Sequence, residues 1–250
     1  MRKVRRLDLP LDTRLALHRR QKTVVNAADA RTKWVQFRGT AAASSVVEVL
    51  RRMAGVRGRC FYCSDSLGVD VEHYKPMAIA PELAFVWRNH QWVCAACNRK
   101  KGARFPMRGD LPLLINPSET EPWRHLVYVE PTGLIAPRFG PLEPDEVGLT
   151  TLGVLDHLNY EAISNGRQRV ARRLRRAAAA VSAAAGSREP RERLFGEILE
   201  DDYGISAWYF AYEGQASEPF ATVRARDPRL WRRLIKAAVT NSDDPEVEGD

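Results

Sequence analysis

Apolar residues recur at helical spacing through most of this chain, and alternate over only a few short stretches. Asp12 can cap a helix that runs to about Phe37 and is ended by Gly39. A second helix is predicted from Ala41 to Ala54, with Val46, Val49, Leu50 and Met53 on one side and Gly55 and Gly58 closing it. The run Val69 to Tyr74 (VDVEHY) reads as a short strand, followed by Pro76 and a loop containing Pro81; a further helix is predicted from about Ala95. Residues 111–147 are punctuated by Pro and Gly, with β-like runs at LVYVE and GLIAP. From about Thr150 the pattern is helical again, with Val170, Leu174, Ala178 and Val181 on one stripe and Arg169, Arg172, Arg173 and Arg176 on its neighbour. Two further helices are expected in RERLFGEILEDDYGISAWYFAYE and DPRLWRRLIKAAV, and no internal repeat stands out.

This order divides the chain into a helical region at 1–58, a compact unit of strand, loop and helix at 59–125, and a β-rich connection with C-terminal helices at 126–242. The acidic segment 243–250 (DDPEVEGD) is expected to be a disordered tail. The fold class is thus α+β, a small ββα unit embedded in a mostly helical chain.

Composition narrows the function classes. With 250 residues, 44% hydrophobic and 28% charged, the chain can bury a real core. No run has the apolar length of a membrane span, and the basic start MRKVRRLDLPLDTR is followed by no apolar signal segment, so a cytoplasmic protein without a membrane partner is expected. The net charge of +8 favours a polyanion partner, because basic groups that neutralise phosphates release condensed counterions.

The four cysteines form two C-x-x-C pairs, Cys60/Cys63 and Cys94/Cys97. Each pair can ligate one metal from a single tight turn, and two pairs complete a thiolate tetrahedron suited to Zn²⁺. Four cysteines packing merely as small apolar side chains would not need that spacing. A closed site of four thiolates has no open position for water, so its role is structural, and any chemistry must come from residues between or beside the cysteines.

Those residues are distinctive. Between the pairs lie V-E-H-Y-K-P and W-R-N, and the second pair reads C-A-A-C-N-R-K-K. In this order the chain resembles the HNH endonucleases of the subgroup with C-x-x-C, an acidic residue plus His, W-x-N, then C-x-x-C-N-x-x-K. The downstream F-P, L-I-N-P, E-P-W-R-H and TTLGVLDHLNYEAISNGR segments resemble a branch of bacterial anti-phage nucleases, retron-associated and Septu-type (PtuB-like). The resemblance is strong over 59–125 and weak elsewhere in 1–215. It implies a ββα-metal core that hydrolyses phosphodiester bonds of double-stranded DNA and leaves a 5′-phosphate. It also implies an anti-phage effector that works beside an ATPase or another defence protein.

By the same resemblance His73 is the general base, Asn89 orients it, and Lys101 contacts phosphate. Glu72 and Asn98 are ligands of a catalytic Mg²⁺ or Mn²⁺, which oxygen donors suit. Adjacent strand residues point to opposite faces, so Glu72 and His73 share one site only if the strand bends between them. Lys75, Lys100, Arg167, Arg169 and Arg173 are candidates for nucleic-acid contact. His90 reads as a loop residue, His18 and His157 as structural, and His125 as either a support or a structural group. Trp87 and the group Trp208, Tyr209, Phe210 and Tyr212 read as packing. Two other functions fit the same sequence: an RNase, cutting tRNA for example, and a zinc-stabilised nucleic-acid-binding module without catalysis. The full set Glu72, His73, Asn89 and Asn98 favours the enzyme, because a binding module would not need all four.

Overall fold

A computed structural model describes residues 1–184 and 186–240, so the expected acidic tail lies outside the described residues. The long first helix predicted from the sequence is two helices, α1 (Leu11–Gln21) and α2 (Ala27–Phe37). The break has a local cause: Asn26 is extended and its side chain accepts from the Asp29 amide, the role in which Asn competes best with helix continuation. Helix α3 (Ala41–Ala54) has the predicted limits, with Thr40 capping its start and Gly55 taking φ 81° just past its end.

Strand β1 (Asp70–His73) pairs antiparallel with β2 (His90–Val93) in the register Asp70 with Val93, Val71 with Trp92, Glu72 with Gln91 and His73 with His90. Helix α4 (Ala95–Lys101) follows at once and packs on β1. His90 therefore belongs to a strand and not to a loop; its ring is fully buried. Gly68 leads into this hairpin with its Cα against the Trp92 ring, where an added Cβ would lie 2.1 Å from ring atoms.

Cross-strand partners share a face, so the hairpin has two chemically different sides. Val71, His73, His90 and Trp92 turn toward a hydrophobic cluster built from the N-terminal segment, α1, α2 and α3, with Trp34, Phe37, Leu50 and Phe85 at its centre. Glu72, Gln91 and Val93 turn the other way, toward α4 and the chain that follows it.

Beyond α4 come two small hairpins, β3 (Met107–Arg108) with β4 (Leu111–Pro112) and β5 (Leu126–Val129) with β6 (Leu134–Pro137), then α5 (Glu146–Val154) and α6 (Glu161–Ala183). The two terminal helices expected from the sequence are four: α7 (Arg188–Leu199), α8 (Ile205–Ala211), α9 (Phe220–Arg226) and α10 (Pro228–Thr240). Asp201 breaks the first by accepting from the amides of Tyr203, Gly204 and Ser206, and Asp227 starts α10 by accepting from Leu230 N. Trp208, Tyr209 and Phe210 are buried in the second hydrophobic cluster, against which Tyr212 packs, the packing role expected of them. Among the described residues no helix is long and apolar enough to cross a membrane.

Candidate metal centre and adjoining cleft

Cys60 and Cys63 lie on a tight turn ahead of β1, closed by a hydrogen bond from Ser64 N to Cys60 O with Ser64 at φ 58°. Cys94 caps α4, accepting from Cys97 N at 3.4 Å, so the second pair sits at a helix N-terminus that favours negative sulfur. The hairpin brings the two turns together. All four sulfurs lie within 4.8 Å of one another, and Cys63 Sγ is 3.9 Å from Cys94 Sγ. A tetrahedron with bonds of about 2.3 Å has edges of about 3.8 Å, so this buried cluster could hold a zinc ion with little rearrangement.

The thiols are electrostatically coupled. Burial pushes Cys60 well above the usual thiol range, whereas hydrogen bonding from Cys60 brings Cys63 down to about 6. A bound cation would deprotonate all four. His157, read from the sequence as structural, places Nε2 3.1 Å from Cys97 Sγ; burial holds its pKa below the usual value, so the neutral ring can donate N–H to the sulfur.

Beside this cluster a cleft of about 560 Å³ opens between α2, α3, β1 and the end of α4. Asp70, Glu72, His73 and Asn98 all border it. His73 Nε2 is 2.8 Å from the Ala84 carbonyl oxygen, which can only accept, so the ring proton is on Nε2 and Nδ1 carries a lone pair. Nδ1 has no hydrogen-bond partner among the described residues. His90 donates to the same carbonyl at 2.9 Å, but its Nδ1 is enclosed in protein. Trp34 stacks edge-on to His73 with ring centroids 4.5 Å apart.

Asn89 is a staple: Nδ2 donates to Lys75 O at 3.0 Å and to Leu83 O at 3.1 Å, and Oδ1 accepts from Lys75 N at 2.7 Å. It thereby fixes the loop that presents the Ala84 carbonyl to His73, and it orients the ring without touching it.

The ladder is regular through His73, so Glu72 and His73 leave β1 on opposite faces without a bend. Glu72 Oε1 is 2.5 Å from Lys101 Nζ, and Oε2 is buried without a partner. Burial raises Glu72 to about 7 even beside that ammonium. Asn98 takes Asp70 as its partner instead, donating from Nδ2 to Oδ2 at 3.0 Å. Asp70 was not singled out from the sequence, yet it stands two residues before Glu72 and on the same strand face. That alternation was the available signal.

Two other assignments need correction. Lys101 cannot meet phosphate as it stands: it is 0% exposed, bound to Glu72 and to His73 O. Arg167 is also 0% exposed, its guanidinium held by Gly133 O, Leu158 O and Asn159 Oδ1. Arg173 pairs with Glu197 and Glu200, and Lys100 with Asp156. Lys75 is half-buried and Arg169 exposed on α6, the latter not among the residues lining this cleft. His125 makes a structural contact: Nδ1 lies 3.0 Å from Asp145, the residue that caps α5. Trp87 is half-buried under Arg6 and donates to Leu7 O. His18 is exposed on α1.

No protein-family model matches the chain, and no curated protein matches it.

The buried imidazoles make acid stability testable. Burial lowers His73 to about 4 and His90 to about 3, so both rings stay neutral while folded and bind protons on unfolding. Their contribution to stability is complete above about pH 6.5 and is lost as pH falls through the folded values, with a slope of up to about 1.4 kcal/mol per pH unit for each. Glu72, raised to about 7, acts in the opposite sense, losing stability as pH rises through 4.5–7. Two histidines against one carboxyl leave a net loss on acidification below about pH 6. Urea midpoints measured across this range should therefore fall, and His90→Gln should remove most of the fall between about pH 6 and 4.5, where Glu72 then offsets His73. A midpoint independent of pH would mean that the rings are not buried neutral.

Proposed function

We propose that this chain is a metal-dependent phosphodiesterase of the HNH type, cutting nucleic acid, with DNA as the first substrate to test. The observation that carries the reading is the state of His73: one ring nitrogen anchored on a backbone carbonyl, the other with a free lone pair, in a residue lining a cleft that also holds a carboxylate–amide pair. An imidazole held below its usual pKa is unprotonated at neutral pH, as a base must be, although the depressed value also limits its strength.

His73 Nδ1 takes a proton from water as the oxygen bonds to phosphorus, the P–O3′ bond breaks, and the departing oxygen takes a proton from solvent, leaving a 5′-phosphate and a 3′-hydroxyl. The Ala84 carbonyl steadies the imidazolium through Nε2–H. Asp70 and Asn98, with Oδ1 of each uncommitted among the described residues, supply hard oxygen donors that fit Mg²⁺ or Mn²⁺. Such an ion would neutralise the phosphate and stabilise the departing oxygen. Glu72, tied to Lys101, is placed less well for that role than Asp70.

The test is plasmid nicking with Mg²⁺ or Mn²⁺ by wild type, His73→Gln and Asp70→Asn, each checked for zinc content and thermal melting. Both variants should lose about 10²- to 10⁴-fold in rate while staying folded. Full activity in a folded, pure His73→Gln preparation would overturn the assignment.

A further inference from the structure

One wall of the cleft belongs to α2 and to Arg38, which follows it in helical conformation as its C-cap; Arg31, Trp34 and Arg38 line it. Arg31 and Arg38 are seven residues apart, almost two helical turns, so they share a face about 10 Å apart along the axis. Trp34 stands between them and packs on His73, which places one arginine a turn to either side of the candidate base. Both guanidinium side chains are exposed, and neither has a hydrogen bond or ion pair among the described residues. Other arginines of this chain are spent on carboxylates: Arg138 on Glu213, Arg173 on Glu197, Arg175 on Glu130 and Arg191 on Asp227. Asp70 and Glu72 also border the cleft, yet neither pairs with these arginines; Asp70 is engaged by Asn98 and Glu72 by Lys101.

From this arrangement we infer that Arg31 and Arg38 are the backbone-gripping residues of the cleft, each binding a phosphate on one side of the bond presented to His73. The inference rests on the phosphodiesterase reading above and deepens it. A guanidinium offers a planar fork of donors matched to phosphate oxygens and stays charged at any working pH. Contacts of this kind set position and register and carry no base sequence. The ligand chemistry is a phosphodiester backbone, which DNA and RNA share. The α6 arginines, prominent in the sequence, have no such position at the cleft.

The experiment is fluorescence anisotropy on the full chain without added Mg²⁺ or Mn²⁺, titrating a short labelled DNA duplex and, in parallel, an RNA duplex of the same sequence over a series of NaCl concentrations. Each phosphate neutralised contributes about 0.9 to the slope of log K against log salt for duplex DNA. Arg31→Ala/Arg38→Ala should bind more weakly, with a slope shallower by about two units. Arg31→Lys/Arg38→Lys should keep most of the slope, and the exposed pair Arg229→Ala/Arg232→Ala on α10 should bind like wild type. The polymer whose binding responds to the α2 pair is the substrate backbone. An unchanged slope in the alanine variant overturns the clamp and leaves the cleavage reading standing, as does a loss of slope in the α10 pair equal to that in the α2 pair. Wild type that binds neither polymer overturns the clamp. Undiminished cutting by His73→Gln, with the slope change present, would sink the catalytic assignment and keep the grip.

Discussion

Stripping metal from the four cysteines is expected to unfold the unit from Arg59 to Lys101 and to lower the melting temperature of the whole chain by tens of degrees. The four side chains are at most 5% exposed, and they join the turn before β1 to the first turn of α4. Besides the sulfurs, the hydrogen bonds from Phe61 N to Trp92 O and from Val69 N to Val93 O and the shared packing of Tyr62 and Val93 join the two turns, a small set for so short a unit. Without a cation the sulfurs would be a coupled set of buried thiols, each a weak donor and weak acceptor. Structural zinc is worth about 10–16 kcal/mol of apparent free energy in isolated fingers, as much as the entire stability of an ordinary domain. A strong chelator followed by circular dichroism, with released zinc read by a chromogenic chelator, measures the effect directly. Cys94→Ser and Cys97→Ser should reproduce it, because each removes a ligand and Cys94 also caps the helix. A metal-free preparation melting within a few degrees of the loaded one would mean that the cluster is only packed cysteine.

The four-cysteine cluster was legible because its information is local in sequence. C-x-x-C twice fixes which atoms must converge, and α3, β1 and α4 were bounded well by Gly55, Pro76 and Cys94. Legibility failed where a side chain's partner depends on three-dimensional neighbours. Lys101 and Arg167 look like phosphate ligands in one dimension, but a long cationic side chain is equally suited to pinning backbone carbonyls inside a core. The Ala84 carbonyl that anchors His73 left no trace in the sequence, since any residue supplies a carbonyl. Asp70 was visible in principle, because period-two alternation puts it beside Glu72 on the strand face that meets α4. The long N-terminal helix failed for a different reason. Periodicity continued through residues 22–26, and only the capping preference of Asn26 signalled the break.

Lys101→Met is expected to destabilise the chain by about 3–5 kcal/mol near pH 8, the usual consequence of leaving one partner of a buried ion pair uncompensated. Glu72 and Lys101 are 5% and 0% exposed, so solvent gives their attraction little screening. The methionine keeps the volume of the side chain but strands the carboxylate, whose Oε2 already has no partner. Because burial holds Glu72 at about 7, the stranded carboxyl can escape by taking a proton. The penalty should therefore shrink as pH is lowered from 8 toward 5, a direction opposite to that of the histidines. Glu72→Gln/Lys101→Met removes both charges and should recover a large part of the loss, so the double-mutant cycle separates the pair from the hydrogen bond that Lys101 Nζ also gives His73 O. That second bond ties the last residue of β1 to α4, so the single variant should slow cleavage as well, through displacement of the His73 backbone. A Lys101→Met protein as stable as wild type at pH 8 would place the ammonium outside the core, where it could meet phosphate after all.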